Sequence, residues 1–141
     1  MGQKGQSLVE LAVSFTLLML LLAGAVDFGI AFFQFVQLRD SAQEGALFGS
    51  YCQDDTLIRE RIIGSSNSPV NLASPDVTIS IHYLDKDDGQ IKDVSLIEEG
   101  DGLRVRVSYA HKVFMPFLSA IIGDFLNLHG EVIDTILKVD C

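Results

Sequence analysis

"GQSLVELAVSF", residues 5–15, combines an apolar helical pattern with a single carboxylate, Glu10. The segment opens the most hydrophobic part of the chain, where a membrane-spanning helix is the first interpretation. A lone charge inside a bilayer costs about 2.5–3.5 kcal/mol on insertion scales. We therefore expect Glu10 to have a role that offsets this cost.

The apolar run around this segment is longer than a bilayer requires. Leu11–Val26 carries no charge, and after Asp27 the uncharged run resumes over Phe28–Leu38. As one helix, Leu11–Leu38 extends about 42 Å at a rise of about 1.5 Å per residue, whereas the hydrocarbon core needs about 20 residues. The pattern predicts a continuous helix over about Gln6–Tyr51 that spans a membrane and has apolar surface left for protein contacts.

The charge of the chain indicates its orientation and argues against one class of partner. The 141 residues carry a net charge of −9, and the isoelectric point is near 4.5. An acidic surface repels nucleic acid, so we expect no nucleic-acid partner. Lys4 is the one basic side chain before the apolar run, and the positive-inside rule then places the short N-terminus in the cytoplasm and the C-terminal part outside.

Downstream of the long helix the pattern predicts a short helix and an antiparallel sheet. Asp54, Asp55 and Thr56 offer N-caps for a helix over Leu57–Ile63. Alternation with period two predicts strands in "VTISIHYL", "IKDVSLI" and "LRVRVSYAH", with turn residues between them. A further short helix starts at Pro116, and a last strand covers about Glu131–Val139. The predicted fold class is therefore α+β, with a long N-terminal helix packed on a sheet of three or four strands.

Proteolysis ahead of Glu10 would give its carboxylate a partner. If a peptidase cleaves after Gly5, Gln6 becomes a positively charged amino terminus at the edge of the apolar layer. When such helices pack side by side, the carboxylate of one subunit meets the amine of its neighbour, and the pair fixes the axial offset between subunits. If the bond between Gly5 and Gln6 stays intact, Lys4 of a neighbour is the alternative cation.

Three motifs resemble those of one protein family. Gly5 is followed by "QSLVE", Asp27 opens "DFG", and Ser41–Ser50 reads "SAQEGALFGS". Together they resemble the TadE/TadG-like pseudopilins, in the tight-adherence (Flp) branch of type IV pili, and the downstream strands are similar in order and spacing. The resemblance implies a type IV pilin-like fold with a leader peptide over residues 1–5, a membrane and filament-core helix over residues 6–52, and an extracytoplasmic α+β domain over residues 53–141.

The resemblance also implies partners and a location. A bacterial prepilin peptidase would cleave between Gly5 and Gln6, and the precursor would lie in the inner membrane beside the pilus assembly machinery. The chain would then join copies of itself, or other pilins, in a cell-surface filament. It is longer than the very short major pilins of tight-adherence systems, which favours a minor role, although a complete β-domain equally suits a principal subunit.

One position departs from the family pattern. Members commonly have an Arg three residues after the Asp of "DFG", where it pairs with that Asp along the helix. Ile30 occupies this place here. We therefore expect Asp27 to lack a partner in its own chain, and to obtain one from another subunit, from water or by protonation. Arg39 of a neighbour is the candidate cation.

Small residues recur at helical spacing in the long helix. Ala25 and Gly29 lie four positions apart, as do Gly45 and Gly49. Such spacing places both members of a pair on one helix face, where small side chains allow helix backbones to approach closely. We favour a subunit contact at these positions over simple tolerance of glycine.

Cys52 and Cys141 are the two cysteines of the chain. In an extracytoplasmic domain a disulfide between them is one prediction. Two independent thiols are the alternative, because spacing in sequence does not give the distance between the two Cα atoms.

The sequence offers no catalytic constellation. It lacks a recognisable nucleophile–base pair, a Gly-rich phosphate loop and paired catalytic carboxylates. His82, His111 and His129 do not share one strand face and lack metal-ligand spacing, and "DKDDGQ" has its glycine one place too early for a calcium loop. We expect no enzymatic activity, no cofactor and no metal.

Three functions are compatible with these patterns. The leading hypothesis is a structural subunit that polymerises through its N-terminal helix into an extracellular filament for adhesion. The second is a monomeric single-span membrane protein that presents a small binding domain. The third is a secreted protein with an ordinary signal peptide, because Ala23-Gly24-Ala25 resembles a cleavage site.

Overall fold

The computed structural model describes residues 3–139 and 141, with the side chains of residues 3, 4 and 116 left out of the description. A long apolar helix and a four-stranded antiparallel sheet confirm the predicted α+β, pilin-like arrangement. In chain order the elements are α1 (Gln3–Gly49), α2 (Asp55–Ser65), β1 (Val77–Leu84), β2 (Ile91–Lys92), β3 (Gly102–Lys112), α3 (Pro116–Ile122) and β4 (Phe125–Thr135).

The N-terminal part of α1 extends away from the rest of the fold. Every residue from Gly5 to Ala23 is exposed, so the domain covers none of this stretch. Over Gly5–Gly49 the helix is long and apolar enough to cross a membrane. The predicted helix is confirmed, with a start at Gln3 instead of Gln6.

The C-terminal part of α1 buries one face against the sheet. Ala31, Leu38, Ala42 and Ala46 are buried, and their spacing places them on one side of a helix. Burial of this face supplies the hydrophobic stabilisation that an exposed helix lacks. The same core cluster includes Ile58 and Ile62 of α2 and Leu103, Val105 and Val107 of β3.

β3 is a central strand of the sheet, whose order is β2-β1-β3-β4 with antiparallel neighbours. Its predicted alternation is confirmed, because Leu103, Val105 and Val107 are fully buried while Arg106 is exposed. Of the three candidate N-caps, Asp54 caps α2, since its side chain accepts hydrogen bonds from two backbone amides of the first turn.

β4 and α1 approach each other closely at Gly130. A Cβ at this position would overlap backbone atoms of Leu38 and Arg39, so only glycine fits without a shift. Beyond β4, the amide of Leu137 donates to the carbonyl of Ser50 at 2.9 Å. β4 therefore runs alongside α1 towards its C-terminal end, and the connection from β3 to β4 lies at the opposite end of the domain, nearest the uncovered helix.

Two predicted strands have different bounds in the structure. "IKDVSLI" forms only the two-residue strand β2, because Asp93 then caps a 3-10 turn over Val94–Leu96 with a 2.9 Å hydrogen bond from the amide of Ser95. The last strand covers Phe125–Thr135 instead of about Glu131–Val139, since the residues before Glu131 also pair with β3.

Candidate functional site

Glu10 lies on the uncovered part of α1. Its side chain is exposed, and none of the side chains that the structure describes forms an ion pair or hydrogen bond with it. Leu8 and Val13 nearby are 68% and 65% exposed, so the carboxylate is surrounded by unpartnered apolar surface. Gly5 and Gln6 both lie within α1, while the side chain of Lys4 lies outside the described ones. Within the described part of the chain, no cationic group therefore pairs with Glu10.

Asp27 lies where the uncovered part of α1 meets the domain, and it has a partner in its own chain. Asp27 and His111 are 5% and 2% exposed, and His111 Nε2 lies 3.5 Å from Asp27 Oδ1. The amide of Phe114 also donates to Oδ1 at 3.5 Å. The prediction that Asp27 lacks a partner in its own chain is therefore wrong. Its second oxygen, Oδ2, is buried and has no hydrogen-bond partner among the described residues.

The pairing of Asp27 with His111 comes from tertiary structure, not from spacing along the helix. The inward alternation of β3 continues from Val107 through Tyr109 to His111, which places the imidazole on the buried face. This part of the signal is visible in the sequence, because a histidine on an apolar strand face needs a polar partner. Which element supplies that partner depends on how α1 crosses the end of β3.

We expect the Asp27–His111 contact to appear as energetic coupling. Asp27→Leu or His111→Leu alone leaves one buried polar group without its partner, whereas the double variant removes both. The double-mutant cycle should give a favourable coupling of about 0.5–3 kcal/mol in thermal unfolding of the detergent-solubilised protein. The matched control is the same cycle with Asp27→Leu and His82→Leu, because His82 is exposed. The changes in stability from these two substitutions should be additive. Additivity of Asp27 and His111 would contradict the contact.

The four small residues of α1 have two different surroundings. Nothing lies within 4 Å of a Cβ built on Gly29, and Ala25 is exposed, so this pair is open to a neighbouring helix. A Cβ on Gly45 would meet Ile62, and one on Gly49 would meet Leu103. The structure therefore corrects the assignment of Gly45 and Gly49 to a subunit contact, because the chain's own core occupies that space.

The side chain of Arg39 is exposed near the middle of the domain-covered part of α1. No side chain in the described part of the chain pairs with it. Its separation from Asp27 is twelve positions along α1, which is about 18 Å of helix rise. A contact between the two side chains would therefore require different subunits, and the Arg39 assignment stays a prediction.

Cys52 and Cys141 form a disulfide, with their Cα atoms 4.5 Å apart. The bond joins the segment after α1 to the segment after β4 and confirms the predicted pairing. Gln53 Nε2 adds two hydrogen bonds of 2.9 Å at this end of the domain, to the carbonyls of Gly49 and Lys138. Disulfides persist in oxidising compartments, which agrees with a domain outside the cytoplasm.

A buried carboxylate organises the loops at the same end of the sheet. Asp101 is fully buried and accepts hydrogen bonds from the amides of Glu98 at 2.8 Å and Lys86 at 3.1 Å. Lys92 Nζ lies 3.0 Å from Asp101 and 2.8 Å from Asp85. Because Asp85 opens "DKDDGQ" and Lys92 lies in β2, the second ion pair links this turn to β2. A single ammonium group thus pairs with both carboxylates. No cluster of three or more possible metal-ligating side chains exists among the described residues.

The Asp101 cluster predicts a loss of stability in acid. The hydrogen bond from Glu98, with the charge of Lys92, holds the pKa of Asp101 below its ordinary value of 3.8. A carboxyl group whose pKa is lower in the folded state stabilises the fold at pH values above its pKa in the unfolded state. This contribution is lost as the pH falls below about 4. Asp101→Asn should lower the free energy of unfolding at pH 7 and flatten its decline in acid, measured by denaturation between pH 2 and 7.

Exposed Glu99 provides the control for this prediction. Glu99→Gln removes a carboxylate from the same loop without removing a buried hydrogen-bond acceptor. It should leave the acid limb of the stability curve unchanged. An equal effect of both substitutions would show that net charge, not the buried cluster, sets the acid sensitivity.

Comparison with known proteins identifies the N-terminal segment. Residues 5–47 match the family model described as TadE-like protein. No curated protein and no solved structure shows significant similarity to the chain. The matched range contains Gly5, Glu10 and Asp27 of the first two motifs and most of the third motif, Ser41–Ser50. Residues 5–47 are therefore similar to TadE-like proteins, which is consistent with a TadE/TadG-like pseudopilin and suggests a protein associated with Tad pili.

Proposed function

We propose that the chain is a non-enzymatic, pilin-like structural subunit that polymerises through α1 into an extracellular filament for surface attachment. The observation that carries this proposal is Glu10, an exposed carboxylate on an apolar helix surface that the domain leaves uncovered. Neighbouring α1 helices would cover that surface. The amino terminus of Gln6, released by cleavage after Gly5, would supply the cation.

Two further features support polymerisation through α1. The open space at Gly29 allows another helix backbone to approach just beyond Asp27. Exposed apolar side chains continue along α1 beyond Asp27, with Phe28 and Phe33 72% and 68% exposed. Burial of this surface against copies of the chain would supply the hydrophobic free energy of assembly.

The proposal implies a sequence of locations and partners. The precursor would be anchored in the inner membrane by α1, with the disulfide-bonded domain outside the cytoplasm. A prepilin peptidase would remove residues 1–5, and the inner-membrane assembly machinery would then move the subunit into a filament of the same or related pilins.

The second candidate is a monomeric single-span protein that presents the domain as a binding module. It is favoured by one observation: the C-terminal part of α1 already covers the inner face of the sheet, so the domain has a complete core without a partner. In this case Glu10 has no required role, and the protein stays as single copies in the membrane.

N-terminal sequencing of the protein sheared from intact bacteria separates the candidates. The filament proposal predicts a mature chain that begins at Gln6, with filaments visible by electron microscopy of the same fraction. An intact N-terminus on single copies in detergent would favour the monomer instead. A chain that begins after Ala25 would indicate an ordinary signal peptide.

A further inference from the structure

The connection between β3 and β4 has an exposed apolar surface. Residues 113–123 contain no charged side chain, although they belong to a chain in which 21% of residues are charged. Contiguous exposed apolar surface of this kind marks an interaction site. The large side chains that form it, here named the α3 lobe, are Phe114 (68% exposed), Phe117 (57%), Ile121 (68%), Ile122 (49%) and Phe125 (61%).

The α3 lobe lies beside α1 near Gly24 and Asp27, which would be the end of the span with α1 across a bilayer. A Cβ on Gly24 would lie 3.7 Å from Sδ of Met115, and the amide of Phe114 donates to Asp27 at 3.5 Å. A span of about 20 residues that starts at Gln6 ends near Ala25. The lobe is therefore beside the last turn of the span, at the depth where acyl chains give way to head groups.

We propose that the α3 lobe inserts into the outer acyl–headgroup boundary of the membrane that α1 spans, as a second lipid contact beside the helix. This inference rests on membrane anchoring by α1, which is part of the proposed function. Lipid is the occupant in the membrane-anchored precursor, before assembly, because the lobe lies beside exposed apolar surface of α1: Val26 and Phe28, at the same level, are 56% and 72% exposed.

Several backbone groups of this segment already form hydrogen bonds within it. The amides of Leu118 and Ser119 donate to the carbonyl of Met115 at 3.0 and 2.9 Å, and the amide of Val113 donates to the backbone carbonyl of Asp124 at 2.9 Å. Backbone groups that are already paired add little cost when they enter an apolar layer. Asp124 lies between Ile122 and Phe125 of the lobe, and its side chain is exposed.

Single tryptophans test the depth of the lobe, because the chain contains none. The full-length protein is reconstituted in phosphatidylcholine vesicles whose acyl chains carry bromine at defined depths. Phe117→Trp should show blue-shifted emission that shallow bromines quench most. Leu17→Trp, within the span, should be quenched most by deep bromines. Val94→Trp, on the 3-10 turn at the far end of the sheet, should emit equally with and without bromine.

Each outcome has a defined meaning. Quenching at Leu17→Trp without quenching at Phe117→Trp overturns this inference and leaves membrane anchoring intact. Absence of quenching at both positions overturns the anchoring as well. Blue-shifted emission at Phe117→Trp that rises with the protein-to-lipid ratio, without quenching, would assign the lobe to a second copy and also overturn the inference. Ile121→Trp repeats the test at a second position of the lobe, with circular dichroism confirming the fold of each variant.

Discussion

Glu10→Ala is expected to abolish filament assembly while membrane insertion continues. The substitution removes the carboxylate that would pair with a cation of the adjoining subunit, and leaves that cation buried without a partner. Removal of one partner from a buried ion pair costs about 3–5 kcal/mol, which is on the order of 10²–10⁴-fold in affinity at each contact. A filament repeats this loss at every subunit, so polymer should fall to background. Insertion depends on the hydrophobicity of α1, which the alanine preserves.

The measurement compares the sheared surface fraction with the membrane fraction of the same cells. Glu10→Gln keeps the size of the side chain without its charge and should fail in the same way. Thr16→Ala is the matched control in the uncovered part of α1, because the hydroxyl of Thr16 already donates to the carbonyl of Ala12 at 2.8 Å within its own helix. Normal filaments from Glu10→Ala would remove the proposed role of this residue.

Loss of the disulfide is expected to have the largest effect on the stability of the domain. The bond between Cys52 and Cys141 joins positions 89 residues apart. In the chain-entropy model, a loop of this size stabilises the folded state by about 4–5 kcal/mol. The paired variant Cys52→Ser with Cys141→Ser should lower the free energy of unfolding by that amount, measured by chemical denaturation in detergent under non-reducing conditions.

A reducing agent supplies the control for this prediction. It should destabilise the parent protein to the level of the paired serine variant and should have no effect on that variant. If the serine variant is as stable as the parent, the hydrogen bonds of Gln53 and Leu137 at this end of the domain suffice to hold the C-terminal segment. The covalent constraint would then be dispensable.

Local patterns predicted most of the fold, and tertiary contacts account for the errors. The alternation of "LRVRVSYAH" placed Leu103, Val105 and Val107 on the buried face, as observed. The pattern alone predicts too late a start for β4, because the first residues of β4 continue the apolar stretch that contains α3. Its start is set by pairing with β3, where Phe125 lies opposite Lys112, and this register cannot be derived from the segment alone.

The same distinction between local pattern and tertiary contact applies to the residues of the candidate site. Glu10 was identified from its unfavourable environment, which is a property of the sequence near it. Asp27 was assigned an external partner because the helix offers none at the expected spacing, whereas His111 reaches it from β3. The spacing of Gly45 and Gly49 predicts a subunit contact, yet Ile62 and Leu103 fill the space beside them. Contacts between distant elements decided these positions.

The most direct test of the account is a structure of the assembled protein by electron cryomicroscopy. We predict that the Glu10 carboxylate of each subunit lies within about 4 Å of a cation from the next copy, either the amine of Gln6 or the side chain of Lys4. A map in which that carboxylate faces lipid or solvent, with no positive group of an adjoining copy nearby, would contradict the mechanism of assembly.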